Sequence, residues 1–246
     1  MARRLAVAAA ALTILGLCTT PLAAQIAAGS TLTFDGAADA TDIGSPGVVL
    51  DFSPYAVTTG GANTGSFAFL STASAGASGA LHQITVGNGP QAVPGFLTIA
   101  GFTFDLASLP SGGYSQSDCR VAPEIGQQCT PYQSPGTGIS PFNLVNEASG
   151  DPDAPINAFV SFNLVGTVTD PNGVTSAFTG TIASLFPGYS YQDVLGALEG
   201  QGPAGLPGVP FTGTFVVSAV LPEPGTYALV AAGLVGLGAA VRRRRT

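Results

Sequence analysis

Along most of the chain, apolar and polar residues alternate in short runs broken by Gly, Pro, Asn and Asp. Alternation at every second residue is the mark of a strand with one buried face and one wet face. It predicts strands at Thr31–Asp35, Val48–Phe52, Ser66–Ser71, Leu81–Val86, Gly95–Leu106, Asn157–Thr169, Val174–Ala183 and Phe211–Val220. Strands of this length, separated by turn residues, predict an all-β body arranged as an antiparallel two-sheet sandwich of jelly-roll type.

One pairing can be read in register. In "FNLVGTVTDPNGVTSAFTGTI" the residues Asp170, Pro171, Asn172 and Gly173 suit a type I turn, with Gly173 taking the left-handed position of a bulge. Asp170 then opposes Val174, and outward from the turn Val168 meets Ser176, Gly166 meets Phe178, Leu164 meets Gly180 and Phe162 meets Ile182. Each glycine faces a bulkier side chain, so Phe178 covers Gly166 as aromatic residues cover strand glycines.

A different period appears in "SYQDVLGALEG", Ser190 to Gly200. Ser190 can cap a helix with Asp193 three residues later, Val194, Leu195 and Leu198 form an apolar face, and Gly200 ends it. The stretch between Pro110 and Pro141 has no period and reads as a long loop.

Both ends of the chain break the alternation. At the start, Arg3 and Arg4 precede an apolar stretch from Leu5 to Leu17, followed by Pro21 and a small-residue "LAAQ". This is the layout of a secretory signal peptide, cleaved after Ala24 or, as the alternative, Ala28. Cys18 directly follows bulky Leu17, which does not suit a lipidation site. At the other end, "LPEPGTYALVAAGLVGLGAAVRRRRT" sets Pro222, Glu223 and Pro224 before seventeen mostly apolar, uncharged residues, Gly225–Val241, which include Leu229 and Leu234. As a helix that run would be about 25 Å long, a short span for a hydrocarbon core of about 30 Å. Arg242, Arg243, Arg244 and Arg245 would hold its end on the cytoplasmic side and leave the body outside.

Charge follows the same division. The chain contains no lysine, and six of its seven arginines lie in the two terminal segments. Between Gln25 and Leu221, thirteen Asp and Glu residues face only Arg120. Such a surface repels phosphate backbones and excludes nucleic acid as a partner. In an exported chain, Cys119 and Cys129 in "CRVAPEIGQQC" read as one disulfide closing a loop, since too few other ligands stand near for a metal site.

Catalytic chemistry finds little material. His82 is the sole imidazole and sits in "GALHQITV" with no serine elbow beside it. The densest carboxylates are Asp35, Asp39 and Asp42 in "DGAADATD", and Asp151 with Asp153 in "SGDPDAP". Neither group follows the spacing of a calcium loop. The inventory predicts no enzyme, no cofactor and no resident metal.

The tail resembles the PEP-CTERM sorting signal of Gram-negative bacteria: Pro222-Glu223-Pro224, an apolar stretch, then an arginine cluster, with a signal peptide at the other end. The resemblance implies export through the inner membrane with transient anchoring, processing by an exosortase, and delivery to the cell surface or extracellular matrix. The expected organisation is a signal peptide over 1–24, a β-sandwich body over 25–221 and a sorting signal over 222–246. The expected function is a non-enzymatic surface or matrix protein that contributes to biofilm or exopolysaccharide. The alternative is a secreted module binding carbohydrate or calcium through its loop carboxylates.

Overall fold

The computed structural model describes residues 26–42, 48–53, 55–60, 62–72, 77–86, 92–131, 140–200, 205–218 and 233. Among these, twelve strands form one antiparallel sheet. In chain order they are β1 Thr31–Asp42, β2 Val48–Asp51, β3 Val57–Thr59, β4 Ser78–Leu81, β5 Ile84–Val86 and β6 Val93–Ile99. There follow β7 Phe102–Ser108, β8 Gln128–Cys129, β9 Phe142–Ala148, β10 Ile156–Thr169, β11 Thr175–Phe186 and β12 Leu206–Val217. One helix, α1, runs from Tyr191 to Gly200.

Eight of these strands close into a ring in the order β1-β3-β4-β6-β7-β10-β11-β12, with β12 returning to β1. The fold is therefore a closed antiparallel barrel, and the expected two-sheet sandwich is corrected. Two features close it. β10 is fourteen residues long and pairs with β11 throughout, while its other edge is shared: Ile156–Phe162 pair with β9 and Val165–Thr169 with β7. β1 likewise pairs with β12 on one edge and with β3 and β2 in succession on the other. No strand in the ring keeps a free edge for a second sheet to begin, and closure removes the exposed ladders that a sandwich leaves at its sides.

An eight-stranded ring has an interior just wide enough for side chains, and here phenylalanine fills it. Phe215 stacks on Phe178 at a centroid distance of 4.8 Å and meets Phe34 edge-on at 5.0 Å, while Phe104 approaches both Phe178 and Phe215 at 5.3 Å. Phe67 continues the file at one end, and Phe211, Phe52 and Phe96 continue it at the other. Glycines on adjacent strands make room for the rings: Gly213 lies opposite Phe34, Gly180 opposite Phe215 and Gly166 opposite Phe178. All of these rings except Phe211, at 6% exposure, are essentially inaccessible to solvent.

The hairpin of β10 and β11 has the register read from sequence, including Gly166 with Phe178 and Leu164 with Gly180. Gly173 adopts φ +82°, and Asp170 closes the turn by accepting from the N–H groups of Asn172 and Val174. Other elements differ from expectation. Gly65–Thr72 is a 3-10 helix, not a strand; its three-residue turn puts Phe67 and Leu70 on one buried side and leaves Phe69 exposed. The Gly95–Leu106 stretch is a hairpin, β6 and β7, turning at Ala100 and Gly101, whose φ values are both positive. The Leu81–Val86 stretch breaks at His82, whose N–H bonds the Phe96 carbonyl.

Among the described residues no helix is long and apolar enough to cross a membrane. The expected membrane-spanning helix at Gly225–Val241 gains no support, and apart from helical, exposed Gly233 it lies outside the described residues. The signal-peptide segment, Pro222 to Pro224 and Arg242 to Arg245 lie outside them as well.

Candidate functional site

Beyond the ring, β9 extends the sheet from β10, and the loop after β7 crosses back over it as a strap. A disulfide joins Cys119 to Cys129, with Cα atoms 5.2 Å apart. Cys129 pairs as part of β8 with Leu144 of β9, so the covalent link ties the strap to the sheet. Ser190 caps α1 by accepting from the Asp193 N–H, and the Asp193 carboxylate accepts from the Ser190 N–H in return. The cap fixes Tyr191 at the start of the helix, fully buried among Cys129, Leu144 and Ala158. Its hydroxyl donates to the Asp118 carbonyl at 2.9 Å, one residue from the disulfide. Burial, and then the nearby Asp118 carboxylate, push the Tyr191 phenol above its ordinary value, so it remains a donor at neutral pH.

Three amides join strap, helix and sheet. Buried Asn146 accepts from the Tyr191 N–H at 2.8 Å and donates to Gln192 Oε1 at 3.0 Å. Gln192 donates to Gln127 Oε1 at 2.9 Å, and Gln127 donates to the Ala122 carbonyl. These amides are satisfied by one another, so the arrangement braces a loop and does not aim free groups at a ligand. Asn146 carried no sequence signal, because its partners Tyr191 and Gln192 are distant in the chain.

The carboxylates singled out from sequence do not converge. Asp35 accepts from the Thr212 hydroxyl at 2.7 Å on the outer face of the barrel. Asp39 takes two bonds on Oδ1, from the Gly208 N–H and the Tyr55 hydroxyl, each at 2.7 Å. The Gly208 amide first, and Tyr55 next, hold the Asp39 carboxyl below its ordinary value of 3.8, while the same bond raises Tyr55. Asp42 ends β1 in register with Val48. Asp151 and Asp153 lie in the β9–β10 turn, where Asp151 Oδ1 accepts from the Asp153 N–H. Among the described residues no group of three or more His, Cys, Asp or Glu side chains is placed to hold a metal. His82 stands at the β4–β5 break.

The two ends of the body meet. Gly29 N–H donates to the Val217 carbonyl at 2.8 Å and Val217 N–H donates to Ser30 at 2.9 Å, so the chain enters β1 and leaves β12 at the same end of the barrel. Pro222 stands four residues after Ser218. Residues 220–245 match the family model of the PEP-CTERM protein-sorting motif. No curated protein and no solved structure gives a significant match to the chain. The chain thus carries a PEP-CTERM sorting signal, which places it on the exosortase route of export and membrane-anchored sorting toward the surface of a Gram-negative cell.

Proposed function

We propose that the barrel is the cargo of this sorting signal and acts, after release, as a non-enzymatic component of the cell surface or extracellular matrix. The observation that carries the reading is the filled barrel. Phe34, Phe104, Phe178 and Phe215 occupy the interior that a ligand-binding barrel would leave open. Ligand pockets are concave and hold a few convergent polar groups, whereas the polar groups described here bond one another along the wall and strap. Function then resides on the outer surface, in contact with other matrix components such as exopolysaccharide.

Exosortase processing is the step that frees the body, with cleavage close to Pro222-Glu223-Pro224. Prolines on either side of Glu223 favour an extended backbone, the conformation in which a peptide bond is open to an enzyme. Intact-mass analysis of the surface-associated protein tests this: the expected species lacks Arg242 to Arg245, and a mature form that retains them refutes processing. The matrix role is tested by deleting the gene and measuring retained surface polysaccharide and biofilm mass. Both are expected to fall and to recover on complementation; unchanged values refute the role. Saturable calcium binding in calorimetry would replace it with a binding module.

A further inference from the structure

The entry and exit of the chain at one barrel end coincide with a strong asymmetry of charge. That end is made by residues 26–31, 64–71, 99–103, 169–175 and 216–218, and among them Asp170 is the only charged residue. Its carboxylate is engaged by the turn N–H groups of Val174 and Asn172, with the Val174 amide the larger cause holding it below its ordinary value. Of the thirteen acidic residues between Gln25 and Leu221, Asp35 and Asp105 stand mid-barrel. The other ten lie on the distal part of β1, β2, the strap, β9 with its following turn, and α1. Arg120 is also there, 3.9 Å from Glu199. Exposed apolar side chains occur at both ends, Phe69 at one and Ile125 and Tyr189 at the other, so charge and not hydrophobicity distinguishes them.

We infer that the end bearing both termini is a docking surface for an anionic lipid bilayer, held against it while the sorting tail anchors the chain. The inference rests on the membrane-anchored sorting that the motif implies. Twelve-residue strands such as β1, rising about 3.3 Å per residue and tilted by about 40°, separate the two ends by roughly 30 Å. That is several times the Debye length of about 8 Å at physiological ionic strength. With the terminal end down, the surface potential meets one engaged carboxylate; with the barrel inverted it meets ten. The tail allows little freedom to invert, since four Cα steps from Ser218 to Pro222 reach at most about 14 Å.

The test uses the exported chain with its sorting tail, reconstituted on vesicles of phosphatidylethanolamine and phosphatidylglycerol that carry a headgroup-linked fluorescence quencher. Single labels are placed through Ala28→Cys and Asn172→Cys at the terminal end, and through Glu147→Cys and Asp153→Cys at the other, the two cysteines of the body being held in the Cys119–Cys129 disulfide. Loss of most fluorescence at both terminal-end labels, with none at the distal pair, is expected, and high salt should narrow the difference. Equal quenching at both ends on vesicle-bound protein overturns the docking surface and leaves the sorting reading intact. A chain that fails to sediment with the vesicles refutes both.

Discussion

Gly213→Ala is the sharpest test of the filled barrel, because it adds one methyl group where the structure has no room for it. A Cβ at position 213 would lie 2.5 Å from Phe34 Cε2 and 2.8 Å from Cε1, closer still to Cζ, where ordinary contacts begin near 3.4 Å. Phe34 cannot swing aside, since it is fully buried with Phe215 edge-on at 5.0 Å and Phe211 at 6.3 Å. Overpacking of this kind costs about 1–3 kcal/mol. Removing a glycine from the unfolded chain returns about 0.4–1 kcal/mol, and Gly213 has no positive φ to forbid alanine. The net expectation is a loss of about 1–2 kcal/mol, or a fall in Tm of roughly 3–6 °C for a domain this size. Urea and thermal unfolding followed by far-UV circular dichroism measure it, the chain having no tryptophan. Gly113→Ala, with nothing within 4 Å, is the control and should stay within about 0.5 kcal/mol. Phe34→Leu combined with Gly213→Ala should cost at least about 1 kcal/mol less than the two changes summed. Additive effects, or a neutral Gly213→Ala, would refute the argument that rings and glycines lock the wall.

Replacing Cys119 and Cys129 together by alanine opens a loop with a sequence separation of ten; loop entropy predicts a loss of about 3 kcal/mol, read from the urea midpoint against the oxidised protein. Tyr191→Phe removes the bond to the Asp118 carbonyl. It should cost about 1 kcal/mol and speed hydrogen exchange across residues 117–129, whereas unchanged exchange there would show that the amides alone hold the strap. Asp39→Asn tests the wall contact by pH. Because the folded carboxyl lies below its ordinary 3.8, its stabilisation is complete above about pH 5 and is lost as pH falls through the lowered folded value. The variant should therefore unfold at lower urea than the parent at neutral pH, and the gap should close as the pH falls below the lowered folded value.

Local rules carried far in this sequence. The Asp170-Pro171-Asn172-Gly173 turn fixed the β10–β11 register, because a bulged hairpin leaves one alignment that keeps Phe162 and Phe178 on the inner face. Ser190 and Asp193 announced α1 through a capping pair whose partners are three residues apart. The 3-10 helix at Gly65–Thr72 was hidden because "SFAFLS" alternates as a strand does, and only contact with Phe102 and Phe104 decides that Phe67 and Leu70 turn inward together. The bond of Asp39 to Gly208 spans 169 positions and left no trace in local pattern.

The closure of the ring is the step that a strand list cannot supply. A sandwich and a barrel can use the same alternating strands; they differ in whether the first and last find each other and in how the long strands share their edges. Here β7 claims one half of a β10 edge and β9 the other, with an irregularity between Val165 and Gly166 at the start of the β7 half. Gly166 permits the register shift: a Cβ there would meet the Asp105 carbonyl as well as Phe178. That backbone approach depends on two segments some sixty residues apart and on no property of either alone. Closure also moves the search for function. A sandwich offers loops at both ends and a cleft between sheets, whereas this ring is filled by its own rings of phenylalanine. What remains available is a wall of paired polar side chains, one acidic end and one nearly uncharged end. The sorting segment follows from the uncharged end, so under the proposed docking the acidic end points away from the membrane while the tail anchors the chain.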